Sequence, residues 1–115
     1  MFEEPIRGEW IGDDLYGILI EGDFDLSLRD RAIAVTQEAL DSKPRAILVD
    51  VKRCTFLDST AIAVILGARR RALDAGLGFA LVGHNPTVDL MIELTGLSAE
   101  LEVLRDRKEA IAQLG

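Results

Sequence analysis

The sequence predicts an α/β domain: a small, mixed but mostly parallel sheet, opened by an N-terminal hairpin and packed by about four helices. Three observations carry this. Apolar runs of strand length recur at "LYGILIE" (15–21), "RAILVDV" (45–51) and "LGFALVG" (77–83). Between them lie segments whose apolar residues repeat at helical spacing. These segments are bounded by residues suited to starting or stopping a helix. Strands joined through helices imply right-handed crossovers and parallel neighbours.

Taken in order, "RGEWIG" and "LYGILIE" form the hairpin, with Asp13 and Asp14 at its turn. "GDFD" at 22–25 breaks the second strand. Ser27 is placed to cap the next helix, with Asp30 three residues on as an acidic variant of the capping box. Leu28, Ala32, Val35 and Ala39 give that helix one core-facing stripe, and Pro44 ends it by disfavouring helical geometry at Lys43. The almost unbroken run 45–51 suits a strand covered on both faces. A loop over 52–58 leads to a helix over 59–75, with a stripe of Ala61, Val64, Ile65, Ala68 and Ala72 widened by Ile62, Leu66 and Leu73. Gly76 terminates it in a left-handed conformation. After the strand at 77–83, Asn85 caps a helix, Pro86 takes its first position and Gly96 stops it. A short strand at 101–104 and a helix reaching Leu114 complete the chain.

The 115 residues make one domain, 1–115, and a chain of this size buries enough surface for a true core. No apolar run reaches the roughly 18 residues of a membrane-spanning helix, and Arg69, Arg70 and Arg71 close the longest candidate. "MFEEPIRGEW" lacks the positive start and apolar stretch of a secretory signal, and the lone Cys54 fits a reducing interior, so a cytoplasmic location is expected. The net charge of −7 lies entirely in residues 1–30, which hold nine acids and two bases; the other 85 residues balance. No basic footprint for nucleic acid is present. The acidic segment serves solubility, or it steers a basic protein partner.

No enzyme constellation, cofactor site or metal site is expected. His84 is the single histidine and reads as a surface or hydrogen-bonding residue; Cys54 reads as a structural thiol. Neither a phosphate-binding glycine loop nor a dinucleotide fingerprint is present. Asp23, Asp25, Asp50 and Asp58 do not by themselves define a cation site. Asp50, after a buried strand, occupies the place of a receiver-domain phosphoacceptor, but "ALVGHNP" lacks the lysine that chemistry requires; a hydrogen bond to the following loop is its expected role.

The specific feature is "CTFLDSTAIAVILG" (54–67), where Asp58, Ser59 and Thr60 stand at a helix start. A helix leaves its first N–H groups without partners, and an aspartate or hydroxyl side chain satisfies them. A phosphoryl group on Ser59 is also tolerated there, because helix N-termini favour anions.

Together, "GDFD", "AILVDV", "CTFLDSTAIAVILGARRRA" and "HNPTVDLMIELTGL" resemble the STAS domain family, and more narrowly the bacterial anti-sigma-factor antagonists, over about residues 12–113. The resemblance implies a non-enzymatic switch. An anti-sigma factor with serine kinase activity binds the unmodified antagonist and frees its sigma factor. Phosphorylation at Ser59, with Thr60 as the second candidate, dissolves that complex, and a serine/threonine phosphatase resets it. Asp58, Thr60 and Ala61 support the switch site. Asp23, Asp25, Asp58, Ser59 and Ile62 are the implied partner contacts, although Asp23 and Asp25 also suit a solvated turn, and Ile62 and Leu66 also suit the core. Ala61 departs from the glycine common at that position, and its methyl is placed to narrow access to Ser59. The alternative is a non-phosphorylated scaffold in a transporter or larger signalling assembly. A small-ligand or nucleotide sensor is a third reading, without a motif to support it.

Overall fold

The computed structural model describes residues 4–114; Met1–Glu3, which open the acidic N-terminal segment, and Gly115 lie outside it. Five strands stand in the order β1-β2-β3-β4-β5: β1 (Ile6–Ile11), β2 (Leu15–Phe24), β3 (Ala46–Leu57), β4 (Gly78–Val82) and β5 (Val103–Leu104). β1 runs antiparallel to β2, and all later pairings are parallel. Four helices complete the fold: α1 (Arg29–Asp41), α2 (Ser59–Asp74), α3 (Pro86–Thr95) and α4 (Arg107–Leu114). The expected mixed sheet with its hairpin is therefore present.

The layers follow from side-chain alternation. In β2, Tyr16, Ile18 and Ile20 join Val35 and Ala39 of α1, Ile65 and Ala72 of α2, and Val88 and Ile92 of α3 in the main core. The opposite face carries a smaller cluster, Leu15, Ala46, Leu48, Ala80, Val82 and Leu104, closed by Ala110 of α4 with Leu114 packed against it. Three helices thus cover one face and one short helix covers part of the other. Strand residues with neighbours on both sides must be apolar throughout, which explains the continuous run at 46–49.

Strand ends and one cap depart from the sequence reading. "GDFD" does not break β2, and 52–57 is not a loop. Both strands run on together, pairing Asp23 with Phe56 and Phe24 with Leu57. Register shifts between Leu19 and Glu21 and between Gly22 and Asp23 absorb the irregularity, and Gly22 takes φ +77°, a geometry in which a Cβ would be strained. The extension is held by Phe24, Cys54 and Leu57, which are buried while Lys52, Arg53, Thr55 and Phe56 are exposed. Burying two side chains the size of Phe24 and Leu57 contributes about 1.5–3 kcal/mol each, enough to outweigh the weak strand propensity of the segment.

Ser27 does not cap α1. A single 3-10 turn, Leu26–Leu28, is inserted before the helix, capped by Asp25, and α1 starts after Leu28 without a side-chain cap. Elsewhere the stop and start signals operate as expected: Gly76 and Gly96 have φ +78° and +76°, and Asn85 Oδ1 accepts from Thr87 N and Val88 N ahead of Pro86. Leu73, expected to widen the α2 stripe, is instead half exposed.

Candidate functional site

α2 begins directly after a strand, so its free N–H groups face the loop end of the sheet, where β2 also finishes. Asp58 meets this demand in an extended conformation, with Oδ1 accepting from Ala61 N at 2.8 Å. Its second oxygen, Oδ2, accepts from Leu26 N at 3.1 Å. The backbone joins in, since Asp58 N donates to Phe24 O at 3.3 Å. One half-buried carboxylate therefore fastens the start of α2 to the turn that follows β2. That is more than a helix cap.

The acidic turn is tied down by its own bonds. Asp23 Oδ1 accepts from Thr55 Oγ1 at 2.6 Å, linking the ends of β2 and β3. Asp25 Oδ1 accepts from both Ser27 Oγ at 2.5 Å and Ser27 N at 2.9 Å. These two donors, the hydroxyl foremost, hold the Asp25 carboxyl below the usual aspartate range. Asp23, Asp25 and Asp58 thus gather at one end of the sheet beside Ser59.

Ser59 is the first residue of α2 and is exposed; Thr60 is half-buried. Among the described residues neither hydroxyl makes a hydrogen bond, so capping falls to Asp58 alone and the Ser59 oxygen is left for solvent. Ala61 is fully buried in the core, and Ser59 remains exposed beside it, so the alanine methyl does not cover the hydroxyl. Ile62, implied as a partner contact, has only 2% of its surface exposed and packs in the main core. It lies three residues before Ile65, on the same helix face, and that face is turned to the sheet. Ile62 is a core residue, the other role its spacing allowed.

The remaining candidates fall into structural places. Asp50 Oδ1 accepts from Lys52 N at 3.0 Å, a local bond at the end of the apolar run. Cys54 is buried, and desolvation pushes its thiol above the ordinary value; its Sγ–H donates to Phe56 O at 3.2 Å. His84 is exposed, with Nδ1 3.7 Å from Asp89 Oδ2. Among the described residues no group of three or more His, Cys, Asp or Glu side chains is placed to hold a metal ion. Nor is any of their helices long and apolar enough to cross a membrane.

Two features escaped the sequence reading. Asn85 caps α3 as expected, but its amide also donates to Val51 O at 2.9 Å and Cys54 O at 2.6 Å, with Lys52 O at 3.4 Å, clamping the irregular part of β3. The second is a groove of about 520 Å³ between α1 and α2 that starts at Ser59 and Thr60. Gly67 was its signal: glycine in a helix interior costs about 1 kcal/mol relative to alanine. A Cβ placed there would meet nothing within 4 Å, so the domain's own packing does not require the glycine.

Known proteins place this architecture. A family model described as "Mlab, STAS domain" matches residues 16–105. An anti-sigma factor antagonist from Mycobacterium paratuberculosis is 18% identical, with 95% of this chain and 92% of that chain covered and a TM-score of 0.81. The Bacillus cell fate determinant SpoIIAA in its phosphorylated form is 20% identical, with 96% and 99% covered and a TM-score of 0.71. A sulfate transporter family protein from Wolinella succinogenes is 18% identical, with 88% and 83% covered and a TM-score of 0.70. At these identities the solved structures share the fold, while the family match spans most of the sequence. The chain belongs to the STAS domain family.

Proposed function

We propose that this chain is an anti-sigma-factor antagonist, a partner switch controlled by phosphorylation at Ser59. The observation that carries the reading is the exposed Ser59 hydroxyl, free of hydrogen bonds and standing at the first position of a helix whose cap is supplied by its neighbour Asp58. The unmodified chain docks on an anti-sigma factor with serine kinase activity through a rim of Asp23, Asp25, Asp58 and Ser59, and the sigma factor is released. The kinase then moves the γ-phosphoryl group of ATP onto Ser59 Oγ. The new O–P bond replaces the one to ADP, and the hydroxyl proton passes to a base of the kinase. Thr60, less exposed, is the second acceptor, and a serine/threonine phosphatase reverses the step.

The physics favours a switch over an unfolding event. A phosphoryl group at an exposed helix N-terminus gains about 0.3–1 kcal/mol locally. Once the rim is covered by a partner, the same charge is held among the carboxylates of Asp23, Asp25 and Asp58 away from water. Like charges juxtaposed in an interface cost on the order of several kcal/mol. The fold therefore persists while the complex does not. The chain acts as substrate and switch in the cytoplasm; ATP and the transfer machinery belong to the kinase.

The test is intact-mass measurement after incubation with the cognate kinase and ATP, with one phosphoryl group expected on Ser59. Ser59→Ala should bind the kinase persistently, and Ser59→Asp should bind at least tenfold more weakly with unchanged circular dichroism. Equal affinity of the modified and unmodified chains would remove the mechanism. A second reading, an unphosphorylated module of a transporter assembly, draws on the likeness to the Wolinella protein. Recovery of a transporter component with Ser59 unmodified would favour it.

A further inference from the structure

The geometry points to the α1–α2 groove as the seat of an acidic amphipathic helix from the protein that reads Ser59. Its lining begins with Arg29, Ser59 and Thr60, continues over Ile33, Ala63 and Gly67, and ends at Arg71. Both charged residues in this lining are arginines. That is notable in a chain of net charge −7, whose acidic turn stands at the same end of the sheet. Arg29 pairs only loosely with Asp30, at 3.5 Å and in solvent, and Arg71 donates to the neutral Gln37. Each guanidinium can therefore take a carboxylate without displacing a buried partner.

The floor between the arginines is apolar and shallow. Ile33 is partly exposed, and Gly67 leaves open space where any other residue would place a side chain. From Ser59 to Arg71 is twelve residues of helix, about 18 Å. A partner helix of three to four turns spans that length, with apolar residues at i, i+4, i+7 and i+11 on the floor and a carboxylate at each end. Helix-in-groove docking of this kind uses those anchor spacings. The charge pattern selects an acidic helix over a basic one, and the shallow stretch at Gly67 selects close backbone approach.

This inference rests on the switch reading only for the owner of the helix. A phosphoryl group on Ser59 shares the Arg29 end of the groove and competes with the partner's carboxylate for it, which adds local displacement to the repulsion within the rim.

The test needs neither kinase nor modification. Two synthetic peptides of four turns carry leucines at i, i+4, i+7 and i+11, one flanked by glutamates and one by lysines. Titrated into the unmodified full chain, the glutamate peptide should shift the amide resonances of Ile33, Ala63 and Gly67 and bind at least tenfold more tightly than the lysine peptide. Gly67→Leu should weaken binding at least tenfold while leaving Tm unchanged or higher. Arg71→Glu, which leaves the groove open and Arg29 in place, should abolish the charge preference. Absence of binding, equal binding of the two peptides, or indifference to both substitutions overturns the proposal. So does concentration-dependent self-association that Gly67→Leu abolishes, since a second copy would then be the occupant. Loss of kinase regulation with these results intact would instead remove the Ser59 reading.

Discussion

The starts of α2 and α3 use the same device, a polar side chain capping a helix that follows a parallel strand, yet they differ in what else the cap does. Asn85 is buried, and both polar atoms of its side chain are engaged: two backbone amides on one side, carbonyls of β3 on the other. Asp58 is half-exposed and divides its two oxygens between Ala61 N and Leu26 N, leaving the adjacent Ser59 and Thr60 hydroxyls free. Buried polar groups must be satisfied, so the first arrangement fixes the sheet. At the second, solvent can satisfy what the chain does not. A helix start can hold the fold or present a chemical group, and this molecule assigns the two tasks to different helices.

Breaking the α3 side should cost most. Asn85→Ala removes a cap and strands carbonyls of Val51 and Cys54 in the interior, and a loss of about 2–4 kcal/mol is expected in urea unfolding. Asp58→Ala removes one cap and one loop tether at a wetter site, with an expected loss of about 1–2 kcal/mol. Asp58→Asn keeps a good capping residue and should lose less than half as much, which separates capping from charge. Ser59→Ala should change stability by less than about 0.5 kcal/mol, because its hydroxyl bonds to none of the described residues. If Ser59→Ala destabilised the domain as much as Asp58→Ala, the division of labour between the two residues would be wrong.

Acidification sharpens the contrast most gently. Asp25 is held below the usual aspartate value by Ser27. Its contribution is therefore present above the unfolded pKa and disappears as pH falls through the lower, folded value. The Ser27 amide resonance should titrate at a pH below the ordinary aspartate range, while the Thr87 and Val88 amides, held by uncharged Asn85, should show no matching step. Cys54 titrates in the other direction. Burial raises its pKa, so the stability it confers is complete below the ordinary thiol value and is lost as pH rises through the folded one.

Local grammar made much of this legible. Apolar runs marked the centres of β2, β3 and β4, and Asn85, Pro86 and Gly96 marked both ends of α3, because these signals act on neighbouring residues. The ends of β2 and β3 were hidden because two charges open "KRCTF" and glycine and aspartates, depleted in strands, make up most of "GDFD"; pairing with each other makes them strand. Asp58 and Ser59 were readable as a helix start, but the bond from Asp58 to Leu26 crosses 32 positions and leaves no periodic trace. Ile62 was ambiguous since a broad apolar helix face does not tell its buried edge from its outer one. The groove depends on how two helices approach, and only Gly67 hinted at it.

The flanks of the sheet carry a last consequence. On one side β5 offers only two residues; on the other, β1 carries Arg7 and Glu9 along a six-residue edge. Short or charged borders discourage the addition of a foreign strand. Recognition is thereby steered to loops and helices, where contacts are made by side chains one at a time. Contacts of that kind can be undone by altering a single oxygen, whereas a ladder of main-chain bonds could not.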